Sequence, residues 1–183
     1  MCDQDLSLFL SLFRGERLLV GAIRRLALGT GCPGAVAQFE FVCGWTGQEA
    51  CRTLDVFLQQ LALHGRRRLT VSRPGDPAVT RDERAMLDVF AFAQAEAYDA
   101  MDARLSDLLD AVPPASLGAA ACIVAQVLAM NGCFVEAEVE GEIGAQCWAA
   151  STTPSSTAAQ CAPAAATTWP CQMARENFSR LFT

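Results

Sequence analysis

From Leu6 to Met130, apolar residues recur mostly at three- and four-residue steps, and each such run ends at a glycine or a proline. That spacing predicts amphipathic helices. The first runs from Leu6 to Leu28, with Leu6, Phe9, Leu10, Phe13, Val20, Ile23 and Ala27 as its stripe and Gly15 as a weak point. Arg14, Arg17, Arg24 and Arg25 are expected on its other faces. Gly29-Thr30-Gly31-Cys32-Pro33-Gly34 ends it, because glycine and proline break regular structure most strongly. A short helix is expected over Ala35–Cys43, closed by Gly44. Thr46-Gly47-Gln48-Glu49 has the form of a capping box and opens a helix to His64, with Gly65 as its cap.

Further on, Leu69-Thr70-Val71 is β-prone and Arg73-Pro74-Gly75-Asp76-Pro77 is a turn. A second capping box, Thr80-Arg81-Asp82-Glu83, begins the longest predicted helix, to about Asp110. Leu87, Phe90, Gln94, Tyr98, Met101, Leu105, Leu108 and Val112 form its seam, with Pro113-Pro114 as its stop. Another apolar helix spans Ser116 to Met130, with Asn131-Gly132 as exit. The period then changes. In Phe134–Ile143 four glutamates, Glu136, Glu138, Glu140 and Glu142, alternate with small or apolar residues, as in a strand with one wet face. Ile143 to Ala174 carries no charge and is rich in Ala, Ser, Thr and Pro, which predicts an irregular tail. Trp148, Trp169 and a short terminal helix over Pro170–Phe182 could dock that tail. The expected fold is mainly α: an orthogonal or antiparallel bundle of about five helices, with a minimal β-wing or two-stranded element as the one addition. Residues 1–143 form the expected helical domain and 144–183 the tail.

Charge changes this picture. The net charge is −6, the wrong sign for coating nucleic acid, and every basic residue is an arginine because the chain has no lysine. Residues 1–73 hold nine arginines against six acids, whereas 74–142 hold three against thirteen. Such asymmetry predicts a charged partner. The acidic start Met1-Cys2-Asp3-Gln4-Asp5 is unlike a secretory signal, and Leu117–Met130 is too short to span a bilayer. A cytoplasmic location is therefore expected, with the nine cysteines reduced and mostly buried.

One stretch suggests chemistry toward DNA. Cys43-Gly44-Trp45-Thr46-Gly47-Gln48-Glu49-Ala50-Cys51-Arg52-Thr53-Leu54 resembles the turn and recognition helix of helix-turn-helix units over about a dozen residues. The resemblance implies that Thr46 caps the second helix while Gln48 and Arg52 face base edges. Arg66-Arg67-Arg68, the β-prone piece and the Pro-Gly turn would then serve as a wing whose arginines meet phosphates. The pattern departs from a true wing, which needs a second strand; only Ala78-Val79 could supply it.

Other chemistry finds less support. Gly29-x-Gly31-x-x-Gly34, with Asp55 further on, matches a dinucleotide fingerprint formally, but helical periods flank it where strands are needed. A Walker loop needs a lysine that this chain lacks. The single histidine, His64, sits at a helix end, where a cation is favourable, and no Cys-x-x-Cys pair accompanies it. No catalytic residue, metal ligand or cofactor is expected. Asp99, Asp102, Asp107 and Asp110 form an acidic helix face suited to a basic partner or to a second copy. Three functions follow as expectations. The leading one is a small regulatory or adaptor protein working through protein contacts. The alternatives are a winged helix-turn-helix DNA binder and a bundle holding a hydrophobic ligand between Leu87–Leu108 and Leu117–Met130.

Overall fold

The computed structural model describes residues 12–27, 29 and 32–137. They form six α-helices: α1 (Arg14–Ala27), α2 (Cys32–Cys43), α3 (Gly47–His64), α4 (Arg81–Gln94), α5 (Tyr98–Leu109) and α6 (Ala115–Met130). A 3₁₀ turn, Gly44–Thr46, joins α2 to α3. The chain is mainly α, as the apolar spacing predicts. One core runs through the molecule, built from residues such as Leu19, Ile23, Phe39, Leu61, Leu105 and Leu128. At its centre the Phe57 and Phe90 rings meet at 5.1 Å and 53°, a tilted geometry that aromatic quadrupoles favour. Helix α6 packs along both α3 and α4. It runs antiparallel to α3: Ser116 at its start donates to Gln60 late in α3 at 2.9 Å, and Cys133 past its end lies near Cys43 ahead of α3.

The predicted long helix is instead two. It breaks at Ala95-Glu96-Ala97, and α5 folds back along α4. Nothing in the local sequence forbids a helix there, since alanine and glutamate are good helix formers. The stop is a Schellman motif: Glu96 N–H donates to the Ala93 carbonyl at 3.3 Å and Ala97 N–H to that of Phe92 at 2.9 Å. Glu96 holds φ at 56°, where glycine is the usual residue. Tertiary packing decides the break. A straight helix over Arg81–Leu109 would be about 44 Å long, and half its seam would lack a neighbour. Folding back buries Leu87 and Phe90 together with Met101, Leu105 and Leu108. Glu96→Gly should therefore stabilise the protein by about 0.5–1 kcal/mol, read from the urea midpoint; a loss of stability would place another conformation at this corner.

Several expectations are corrected. Helix α1 begins at Arg14, with Leu12 and Phe13 outside it. Among the described residues there is no strand beyond a single bridge at Leu69, so neither the wing nor the start of the acidic strand forms a sheet. Cys133–Ala137 is extended but pinned by side chains. Gln94 donates to the Ala125 and Cys133 carbonyls and accepts from Val135 N–H at 3.0 Å. Gly15 lets this segment press onto α1, since a Cβ there would lie 2.7 Å from the Phe134 carbonyl oxygen. Residues 138–183, including the tail and the expected boundary near 143, lie outside the described residues, as does Leu6–Ser11.

Candidate functional site

The loop between α3 and α4 carries the arginines expected to form a wing, and the structure uses this loop differently. Leu69 and Val71 are buried and Thr70 is exposed, which is strand-like alternation. Among the described residues pairing is limited to a single bridge at Leu69, and no second strand runs beside them. The first two residues of the α4 N-terminus after Arg81 do the work instead. The Asp82 carboxylate accepts from Thr70 N–H at 2.7 Å, and that of Glu83 accepts from Ser72 N–H at 3.1 Å. The Thr80–Glu83 capping box forms as predicted, with each side chain accepting from the other residue's N–H.

Arg24 completes this network from α1. Apolar spacing predicts it on another face, away from the stripe; four residues after Val20 and three before Ala27, it is instead fully buried. Its Nε donates to Glu83 Oε1 at 2.7 Å and its Nη2 to Glu83 Oε2 at 2.9 Å. The two terminal nitrogens also donate to the carbonyls of Asp76 and Ala78. One guanidinium thus neutralises a buried carboxylate and fixes the loop, a planar fork used at four acceptors. Arg84 reaches Glu16 at 3.3 Å and Arg104 reaches Asp88 at 3.3 Å, so both of these buried acids are also paired.

The helix-turn-helix candidates are only partly brought together. Thr46 does not cap α3: its φ and ψ are helical, and its hydroxyl donates back to the Cys43 carbonyl at 2.9 Å. The expected capping box therefore fails, because the 3₁₀ turn leads straight into α3 and leaves no extended N-cap. Glu49 lies 3.9 Å from Arg52 instead. Gln48 and Arg52 are exposed in the first turns of α3. Arg66, Arg67 and Arg68 follow its last turn, about 20 Å further along the axis. Arg67 is turned inward, donating to Asp82 Oδ1 at 2.8 Å and to the Asp107 carbonyl at 3.1 Å. Arg66 N–H donates to the Leu109 carbonyl at 2.9 Å. The triple arginine therefore closes the carbonyl end of α5, while the side chains of Arg66 and Arg68 stay exposed.

The acidic face of α5 remains outward. Asp99, Asp102, Asp107 and Asp110 are all exposed, and none forms an ion pair among the described residues. Asp107 and Asp110 even sit at the helix's carbonyl end, where the dipole disfavours negative charge.

Cysteine chemistry is muted. Cys43, Cys51 and Cys133 are buried and, with Cys122, carry free thiols. Burial pushes the Cys43 thiol up, Cys133 adds to this, and Arg14 opposes it. Burial likewise raises Cys133 and Cys122, so these three are neutral thiols at pH 7, the weakly nucleophilic form. Asp55 is also raised, by burial, while a hydrogen bond from Gln59 opposes the shift. No cluster of three or more His, Cys, Asp or Glu among the described residues is placed to hold a metal ion. None of their helices is long and apolar enough to cross a membrane. The space between Leu87–Leu108 and Leu117–Met130, where a hydrophobic ligand was the expectation, holds the core side chains Met101, Leu105, Leu108, Leu117 and Val124.

Among the described residues, fold and surface together define a helical protein whose buried acids Glu16, Asp82, Glu83 and Asp88 are ion-paired and whose α5 carboxylates are not. No family model, curated protein or solved structure matches the chain.

Proposed function

We propose that this protein is a small regulatory or adaptor protein that works through protein contacts, using the acidic face of α5 to meet a basic segment of its partner. One selectivity carries the proposal. Arg24, Arg67, Arg84 and Arg104 pair with Glu83, Asp82, Glu16 and Asp88, while the four α5 aspartates take no ion-pairing partner among the described residues. Asp107 and Asp110 lie at the carbonyl end of α5, where the helix dipole disfavours negative charge. Their exposure at that end supports a use outside the fold.

The test separates stability from binding. Replacing Asp99, Asp102, Asp107 and Asp110 together by asparagine should leave the melting temperature unchanged or slightly raised. Capture of a basic partner from native extract at low salt should weaken about tenfold, in line with several partly exposed charge pairs. A quadruple variant that captures the same partner as strongly as the wild type would overturn the proposal. Duplex binding has less geometric support, because Arg67 is committed to Asp82 and the arginine triplet lies far along α3 from Gln48.

A further inference from the structure

We infer that Cys43 and Cys133 are a disulfide-forming pair, joined by an oxidant of the disulfide class such as glutathione disulfide. The bond would lock the chain past α6 onto the α2–α3 corner. The register of two helices brings the pair together. Helices α3 and α6 pack antiparallel, and the Ser116–Gln60 hydrogen bond at 2.9 Å fixes one level of that packing. Cys43 lies 17 residues before Gln60, and Cys133 lies 17 residues after Ser116. Helices rise about 1.5 Å per residue, so equal counts in opposite directions end at the same height. There both cysteines are buried with free thiols.

Other contacts hold the pair in place. A Cβ at Gly15 would lie 3.0 Å from the Cys133 carbonyl carbon, so α1 presses directly on this residue. Gln94 donates to the Cys133 carbonyl at 3.0 Å. Arg14, the neighbour of Gly15, is within electrostatic reach of both thiols, and Cys43 is within reach of Cys133. Cys122 belongs elsewhere, since the charge its thiol feels is that of Asp102 on α5.

The exchange takes two steps. One thiol loses its proton, and the thiolate attacks a sulfur of glutathione disulfide, forming a mixed disulfide and expelling one glutathione thiolate. The second protein thiolate attacks the protein sulfur of that mixed disulfide and expels the other glutathione. The two cysteines give up two electrons, the glutathione disulfide gains them, and both protons end on glutathione thiols. Arg14 favours the thiolate that each step needs, while burial opposes it more strongly. Exchange therefore waits on local release of Cys133–Ala137, and the pair answers a sustained change in redox poise, over hours, rather than a brief pulse. None of this involves the α5 carboxylates, so the inference does not rest on the proposed function.

Mass mapping of the full chain tests it. The protein is equilibrated, without denaturant, in glutathione buffers from reducing to oxidising, then quenched with acid, alkylated and mapped by tandem mass spectrometry. A Cys43–Cys133 link should form ahead of any other pairing. The oxidised protein should melt about 5–10 °C above the reduced one, as closing so long a loop implies. Cys43→Ala and Cys133→Ala should each lose that rise. Absence of the link in the most oxidising buffer overturns the inference, as does a link that forms only in urea. Preferential pairing of either cysteine with a different one also overturns it. So does a link that leaves the melting temperature unchanged or lowered, or a rise that survives in either alanine variant. If the alanine variants fail to fold, the wild-type map and its melting shift decide by themselves.

Discussion

Replacing Arg24 by methionine is expected to cost about 3–5 kcal/mol, the loss seen when one partner of a buried ion pair is removed. For a chain of this length that lowers the melting temperature by about 10 °C. The reason lies in what the guanidinium leaves behind. The Glu83 carboxyl group would be left buried with two backbone donors only, and the carbonyls of Asp76 and Ala78 would lose their donor. Arg24→Lys should recover little, because a point ammonium cannot serve four acceptors spread over a plane. The double change Arg24→Met with Glu83→Met should be less damaging than the sum of the two singles, since no charge is then stranded. Chemical denaturation of the four proteins checks this. A single-site loss below about 1 kcal/mol would mean that Arg24 is not the clamp on the α3–α4 loop.

The second large effect is expected at Gly47. A Cβ at this first residue of α3 would fall on the Phe39 carbonyl group, where backbone meets backbone. Neither side is the flexible end of a side chain, so the α2–α3 corner must open to admit a methyl group. Gly47→Ala should cost about 2–3 kcal/mol, at the upper end for overpacking, although alanine is the better helix former. Gly44, three residues earlier, gives a control. It holds φ at 61° in open space, so Gly44→Ala pays strain alone, about 1 kcal/mol. Urea midpoints for the two variants should differ accordingly. Equal losses would show that no close approach exists at Gly47.

Both sites show where sequence reasoning reached and where it stopped. The glycine run at 44–47 is legible as a corner, but which glycine turns the chain and which admits the neighbouring helix depends on the packing of α2 against α3. Arg24 is expected away from the apolar stripe and is buried instead, although it sits at i+4 from Val20 and i−3 from Ala27. Arginine on a core face demands a buried acid. Which acid it takes follows only from the fold, because Glu83 lies 59 residues away.

The charge asymmetry is the instructive case. A basic front half and an acidic middle point to a charged partner, and a large part of that partner is the chain's own other half. Arg24 and Arg67 from the first half pair with Glu83 and Asp82, and Glu16 pairs with Arg84. Subtracting those pairs, and Asp88 with Arg104, leaves the α5 aspartates together with Asp76, Glu96 and the glutamates from Glu136 onward.

Local signals by themselves determined the helical class and most helix ends, because apolar spacing, the Thr80–Glu83 capping box and the proline and glycine stops act within one or two turns. Asp99, Asp102 and Asp107 do share one helix, α5, with Asp110 as the residue just past its end. Tertiary structure alone decided the break at Glu96, where a left-handed residue is tolerated because folding back buries both halves of the seam. It also replaced a wing strand by two carboxylates, since an extended backbone needs hydrogen-bond acceptors and Asp82 and Glu83 stood closer than any second strand.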